Sequence, residues 1–241
     1  LVFGVTVNSR NIFFVPGSEE VEKFVPPPSP AKLSVPDWYK REQTDYLKSP
    51  EFNETGELIN TSMKQCVPFL DAMTAGYVQK TWCDIYVDFN SEETKISFAS
   101  SPEPMGYRDK AHLKFKYDEY YPIEFYWQIP WSARTTDGYS VFAMHPLNRY
   151  DLPFTTLAGF IDSDGYHHAP FGNMPFYIKK GFSGLIPKGT PMYQFVPVKR
   201  ESWNSSPDPF DDNLAEKRIR SQISRFWGFY KDNFWQKKSY N

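Results

Sequence analysis

Between Leu152 and Trp203 apolar and polar positions alternate in short runs, and each run ends in a cluster of Gly, Pro, Ser or Asp. The pattern predicts strands over 153–162 (PFTTLAGFID), 173–180 (NMPFYIKK), 184–186 (GLI) and 191–201 (PMYQFVPVKRE), with turns at SDGYHH, GFS and PKGT. In the last run Met192, Gln194, Val196 and Val198 face one side and Tyr193, Phe195 and Pro197 the other, because side chains alternate along a strand. Both sides are mostly apolar, which predicts a strand covered on both faces. Its prolines restrict it to ends, edges or bulges of a ladder. Ile186 to Thr190 fits a type II turn with Gly189 where φ must be positive. Asp162-Ser163-Asp164-Gly165 predicts a second turn, closed by the Asp side chains with Gly165 left-handed.

The alternation continues elsewhere. A strand is predicted over 80–89 (KTWCDIYVDF), with Cys83, Ile85 and Val87 facing the core and 95–99 as its hairpin partner. The aromatic run 123–131 (IEFYWQIPW) leads through a turn at 132–138 into 139–146. Residues 2–15 read as a strand pair turning about Asn8 to Asn11. This many short strands predict a mainly β chain with an antiparallel sandwich, jelly-roll or β-clip core.

Two stretches follow helical spacing instead. In 61–77 Phe69, Leu70, Met73 and Tyr77 form a stripe, with Pro68 suited to the first turn and Gly76 to the end. From Leu214 to about Trp235, capped by Asp212 or Asn213, the residues Ile219, Ile223, Phe226, Tyr230 and Phe234 share one face. Lys217, Arg218, Arg220 and Arg225 take the opposite face, while Trp227, Phe229 and Trp235 add apolar area beyond a single stripe. The chain thus divides into a strand pair with a proline-rich arm (1–36), a β-rich core with a helix near 63–76 (37–206), and a C-terminal aromatic helix (207–241). Trp38, closing the arm, is expected to plug into the core and to count among the interaction residues.

Composition narrows the classes. Of 241 residues 18% are aromatic, which excludes disorder, and Pro outnumbers Gly by 21 to 13, which favours short strands and proline-rich loops. A net charge of −2 provides no general attraction for nucleic acid, so the basic face of the C-terminal helix is the one candidate contact of that kind. Cys66 and Cys83 are too few for a disulfide framework and are read as reduced thiols of a protein made in a cytosol. No apolar run is long enough to span a membrane. The opening Leu1-Val2-Phe3-Gly4-Val5 has neither a basic n-region nor an initiating Met, which argues against an intact secretory signal and suggests trimming or a fragment.

Candidate chemistry is sparse. Asp162, Asp164, His167 and His168 form the densest set of metal-ligand types, and Asp162, Asp164 and His167 are the candidate ligands of a metal-dependent β-barrel enzyme. Against it, adjacent histidines on an extended segment point to opposite faces, and no His-x-Asp pair occurs at His112, His145, His167 or His168. Ser140 and Ser183 lack nucleophile-elbow flanks, and no Gly-rich loop opens a helix, so no cofactor is expected.

Two resemblances add context. Gly159 to Tyr166, Ile178 to Gly181 and Gly189 to Phe195 resemble, in order, the dUTP nucleotidohydrolases of the β-clip fold. That likeness implies Asp162 as the base that activates water and Tyr166 as a stacking partner for uracil. Trp131-Ser132-Ala133-Arg134 replaces that family's phosphate-binding loop, and the aromatic helix replaces its Gly-rich arm. The second likeness covers most of the chain: 26–40 (PPPSPAKLSVPDWYK), 63–77 (MKQCVPFLDAMTAGY), Trp82 to Ile85, 158–166 (AGFIDSDGY) and 186–203 (IPKGTPMYQFVPVKRESW). Together these are similar in order and spacing to an uncharacterised family encoded by tailed phages, especially cyanophages, and some bacteria.

This second resemblance implies a viral context and no activity. The resulting expectation is a non-enzymatic protein-binding module, an accessory structural protein of a virion, found in the particle or the host cytoplasm. Its partners would be other virion components or itself, reached through Trp38, Ile219, Ile223, Phe226, Trp227, Tyr230, Phe234 and Trp235. A dUTPase-like enzyme is the alternative.

Overall fold

The computed structural model describes residues 10–44, 54, 62–89, 95–108, 118–166, 172–224 and 229–241, with the backbone alone at 218, 220–224 and 229. Strand β1 (Ile12–Pro16) leads into helix α1 (Glu19–Phe24), the short β2 (Ser29–Pro30), α2 (Asp37–Arg41) and α3 (Val67–Thr74). Then come β3 (Tyr77–Lys80), β4 (Ile85–Asp88), β5 (Lys95–Phe98), β6 (Met105–Tyr107), β7 (Phe125–Gln128), β8 (Trp131–Thr135) and β9 (Tyr139–Met144). The body closes with β10 (Phe154–Thr156), β11 (Gly159–Ile161), β12 (Asn173–Ile178), β13 (Gly184–Ile186) and β14 (Pro191–Lys199). Helices α4 (Asp212–Ser224) and α5 (Phe229–Asn233) follow. The chain is mainly β, in antiparallel sheets ordered β11-β9-β14-β3-β2, β10-β12-β7-β6 and β13-β4-β5, with a ribbon β1-β8.

The two larger sheets share one aromatic core. Trp127 of β7 stacks on Phe176 of β12 at 3.9 Å and meets the edge of Phe154 of β10 at 4.9 Å. Its indole N–H donates to Thr156 Oγ1 (3.1 Å), and that hydroxyl donates to the Met192 carbonyl (2.7 Å), so the β10 sheet is tied to the β14 sheet. Each large side chain buried here stabilises by roughly 1.5–3 kcal/mol. Ile85 and Val87 are fully buried, as their alternation predicts, and Cys83 is half-buried against them. Strand β5 pairs with β4 in the expected hairpin, Ile85 opposite Phe98. Both cysteines are free thiols, and burial raises the pKa of Cys83.

Several predicted strands are divided. The run 153–162 forms β10 in one large sheet and β11 in the other, with Leu157 between them donating its N–H to Pro175 (2.8 Å). The run 80–89 breaks at Thr81, whose hydroxyl donates to the Pro187 carbonyl (2.8 Å) and whose N–H donates to Thr190 (2.9 Å). Alternation persists through such a corner because each half still buries every second side chain, so the pattern carries no sign of a change of sheet. Residues 132–135, expected in a turn, belong to β8, and the turn contracts to Thr136-Asp137-Gly138 with Gly138 at φ 82°.

The N-terminal part is integral to the body. Strand β1 pairs not with its own neighbour but with β8, Ile12 opposite Thr135, and residues 2–9 of the expected strand pair lie outside the described set. In the proline-rich arm Ser18 caps α1 through its hydroxyl (3.2 Å to the Val21 N–H), and Val21 and Val25 enter the main core. Through Val21 and Val25 the arm is thus part of the core. Trp38 does not plug in: it is 42% exposed, and its neighbour Tyr39, 4% exposed, takes that place and stacks on Phe69. Helix α3 has Pro68 in its first turn and Gly76 just beyond its end at φ 65°, as the spacing predicts.

Candidate interaction surface

The C-terminal region begins where β14 ends. Pro197 lies past the reach of β3, whose pairing with β14 stops at Phe195, and the strand runs on beside β9 to Lys199. At Arg200 the guanidinium binds both oxygens of Asp164 and lies 3.5 Å from Asp162. From Glu201 to Leu214 fourteen consecutive residues are exposed. Two of them are large aromatics, Trp203 at 87% exposure and Phe210 at 82%.

A helix begins because Asp211 accepts from the N–H groups of Asn213 (2.9 Å) and Leu214 (3.2 Å), an Asx cap one residue before the expected Asp212 or Asn213. Of the helix expected to run to Trp235, Asp212–Ser224 and Phe229–Asn233 are helical, and residues 225–228 lie outside the described set.

The predicted apolar face meets different fates. Ile219 (56% exposed), Tyr230 and Phe234 lie open to solvent. The side chain of Ile223, and all of Phe226 and Trp227, fall outside the described residues. Trp235 is half-buried, and it closes a clasp onto α3: its indole N–H donates to Asp71 Oδ2 (2.8 Å), which also receives Lys238 Nζ (2.6 Å). Beyond it Tyr240 meets Tyr77 edge-on (6.2 Å), the Tyr77 hydroxyl donates to the Asn241 carbonyl (3.2 Å), and Lys32 Nζ donates to Asn241 Oδ1 (3.0 Å). The Asp71 carboxylate raises the pKa of Lys238, and burial raises those of Tyr240 and Tyr77. Both ends of 201–234 are therefore fixed to the body, and among the described residues between them Trp203, Phe210, Leu214, Ile219, Tyr230 and Phe234 are exposed.

Sequence reasoning missed Asp71, Tyr77 and Lys32 as receivers of the tail, since a contact across so many residues leaves no local pattern. Trp203 and Phe210 carried a usable signal, two large aromatics within a polar, Pro- and Asp-rich run where no core-facing periodicity accounts for them.

The acidic turn that suggested metal or nucleotide chemistry is built as a structural brace. Asp162 accepts from the Ser140 hydroxyl (2.7 Å), and Asp164 accepts from the N–H groups of Gly138 (2.8 Å) and Gly165 (2.9 Å) besides its pairing with Arg200. The Arg200 guanidinium, then the Gly138 N–H, holds the Asp164 carboxyl well below the usual carboxylate range. Gly165 is not left-handed; the turn closes helically, with the Tyr166 N–H donating to the Asp162 carbonyl (2.9 Å).

Among the described residues no group of three or more His, Cys, Asp or Glu side chains could hold a metal ion, and His112, His167 and His168 lie outside that set. His145 is half-buried and structural, its Nδ1 accepting from the Thr156 N–H (3.3 Å) and its Nε2 donating to the Arg149 carbonyl (3.1 Å). Beside the acidic turn lies a largely apolar cavity of about 570 Å³ between the two larger sheets, with Val141, Ile161, Met174 and Phe195 in its walls and Ser163 and Tyr166 at its lining. Asp162 does not line it.

Comparison of the chain with protein-family models, curated proteins and solved structures returns no match. Among the described residues no helix is long and apolar enough to cross a membrane.

Proposed function

We propose that this chain is a non-enzymatic protein-binding module, an accessory structural component of a tailed-phage particle, present in the virion or the host cytoplasm. One observation carries the reading: the segment 201–234 is held at both ends, yet Trp203, Phe210, Leu214, Ile219, Tyr230 and Phe234 are exposed along it. Large apolar side chains spread along an anchored, outward-facing segment suit a protein partner that buries them. The phage context comes from the separated motifs that resemble a phage-encoded family. Several of their residues, Asp71, Gly76 and Gln194 among them, serve packing and tail attachment, as suits a structural protein. Purified particles of the encoding phage should contain the chain in a fixed copy ratio. Particles assembled with the segment 203–234 deleted should lack it, and a chain absent from wild-type particles would end the proposal.

A second reading rests on Tyr166 lining the apolar cavity, where the resemblance to dUTP nucleotidohydrolases places a uracil-stacking ring. It predicts pyrophosphate release from dUTP that Asp162→Asn abolishes. A wild-type chain without that activity removes it.

A further inference from the structure

A recess of about 340 Å³ lies between the start of β14 and the segment that leads into α2, with Leu33, Ser34, Val35, Lys80, Arg149 and Lys188 in its lining. None of the segment 201–234 takes part in it. One wall is fixed by Thr81, whose N–H donates to the Thr190 carbonyl (2.9 Å), whose hydroxyl donates to the Pro187 carbonyl (2.8 Å), and whose carbonyl accepts from the Gly189 N–H (2.9 Å). These bonds hold the turn at 187–190 beside the end of β3, where Lys80 lies opposite Pro191, and so bring Lys80 and Lys188 to one wall. The other wall is fixed by Arg149, which donates to the Ser34 carbonyl (3.4 Å) and binds both oxygens of Asp151 (2.8 Å each).

The charge in this recess is one-sided. Arg149 is neutralised by Asp151, and Asp37, also in the lining, is engaged by Lys40 (3.0 Å) and Arg41 (3.9 Å). That leaves Lys80 and Lys188, and among the described residues neither ammonium has a carboxylate partner. Lys80 is half-buried: burial, then the charge of Lys40, lowers its pKa, and no carboxylate offsets either. Ser34 adds a hydroxyl that is buried without a hydrogen-bond partner, a condition few native hydroxyls are left in.

Two unpaired ammonium groups and an unpartnered hydroxyl suit a dianion with several acceptor oxygens. A phosphate monoester brings roughly 1.5–2 negative charges at neutral pH and three strong acceptor oxygens, whereas a carboxylate brings a single charge and two oxygens. Leu33, Val35 and Leu152 line the same recess, and Leu33 is 65% exposed, so apolar surface is available to the organic part of an ester. We propose that this recess binds a small phosphate monoester, with Lys80 and Lys188 on the phosphoryl oxygens and the organic group against Leu33. The site does not depend on the protein-binding reading above.

Calorimetric titration of the full chain at neutral pH and low salt tests it. The probe is phenyl phosphate, with benzoate as the monoanion on the same ring and inorganic phosphate as the anion without a ring. Phenyl phosphate should bind at least about tenfold more tightly than either. Lys80→Met and Lys188→Met should each weaken it at least about tenfold, while Lys180→Met, at an exposed lysine outside the recess, should leave it unchanged. Lys188 is exposed and Lys80 has no ion pair to lose, so both variants should keep the parent's urea midpoint, and lost affinity then reports the site and not the fold. A parent that does not bind millimolar phenyl phosphate, a control anion that binds as tightly, or lysine variants that bind as the parent does would overturn the proposal. So would a short single-stranded oligonucleotide that binds through these lysines when the monoester does not.

Discussion

Trp235 donates its indole N–H to the carboxylate of Asp71 at 2.8 Å, a bond that joins the C-terminal tail to α3 across 164 residues of sequence. Lys238 shares the same carboxylate oxygen. Replacing Asp71 by Ala removes both partners at once and should free residues 235–241 while leaving the β body folded. Hydrogen exchange read by mass spectrometry should show protection at 235–241 falling at least about tenfold, with the strands unchanged. The pH dependence follows from the raised pKa of Lys238. The contribution of its charge to the clasp is full below the ordinary lysine value near 10.4 and is lost only as pH rises through the folded value, so the tail should stay attached through neutral pH.

The backbone just past the end of α3 leaves no room for a side chain. Gly76 has φ 65°, and a Cβ added there would lie 1.9 Å from the Phe195 carbonyl oxygen of β14. Gly76→Ala combines a left-handed penalty of about 1–2 kcal/mol with a backbone overlap that only strand displacement relieves, for a total loss of about 3–5 kcal/mol. Gly138 provides the control: its φ is 82°, but nothing lies within 4 Å of an added Cβ. Gly138→Ala should cost about 1 kcal/mol in urea unfolding, and equal losses at the two positions would refute the steric account.

How much of this could be read beforehand depends on the range of the interaction involved. Pro68 and Gly76 bracket α3 where local backbone rules place them, and Ile85 and Val87 are buried where period two puts them. The corners at Thr81 and Leu157 were not legible, because alternation says which side of a strand is apolar and nothing about which strand lies beside it. The pairing of Ile12 with Thr135, and of Asp71 with Trp235, depends on the folded topology. At the acidic turn, residue types suggested ligands, but the cation that engages them, Arg200, comes from the end of another strand, and no local pattern links it to the turn.

Glu124 is buried next to β7 and pairs with Arg108 at 3.1 Å. The guanidinium is itself largely covered, lies over the Tyr126 ring and donates to Asn173. Arg108→Met keeps much of the volume but leaves a carboxylate with its cation gone, which should destabilise by about 3–5 kcal/mol. Adding Glu124→Leu removes the buried carboxylate as well, so the double variant should recover most of that loss. A double-mutant cycle in urea checks the coupling, and additive losses would show that the pair does not act as a unit.

His145 gives the fold a dependence on mild acid. Burial lowers the pKa of its imidazole, and the neutral ring is the form that fits: Nδ1 must be bare to accept from Thr156, while Nε2 carries the proton donated to Arg149. In the unfolded chain the ring titrates near its ordinary value of about 6.5, so between that value and the lower folded one the unfolded state binds the extra proton. Stability from this residue is therefore full above about pH 6.5 and declines as pH falls toward the folded value. Urea midpoints measured from pH 8 down to pH 5 should fall below about 6.5 in the parent. In His145→Gln, which keeps polar atoms near both backbone partners but cannot titrate, the decline should be shallower. Asp164 does not produce this slope: held low by Arg200, it keeps its contribution until pH falls below the ordinary carboxylate range.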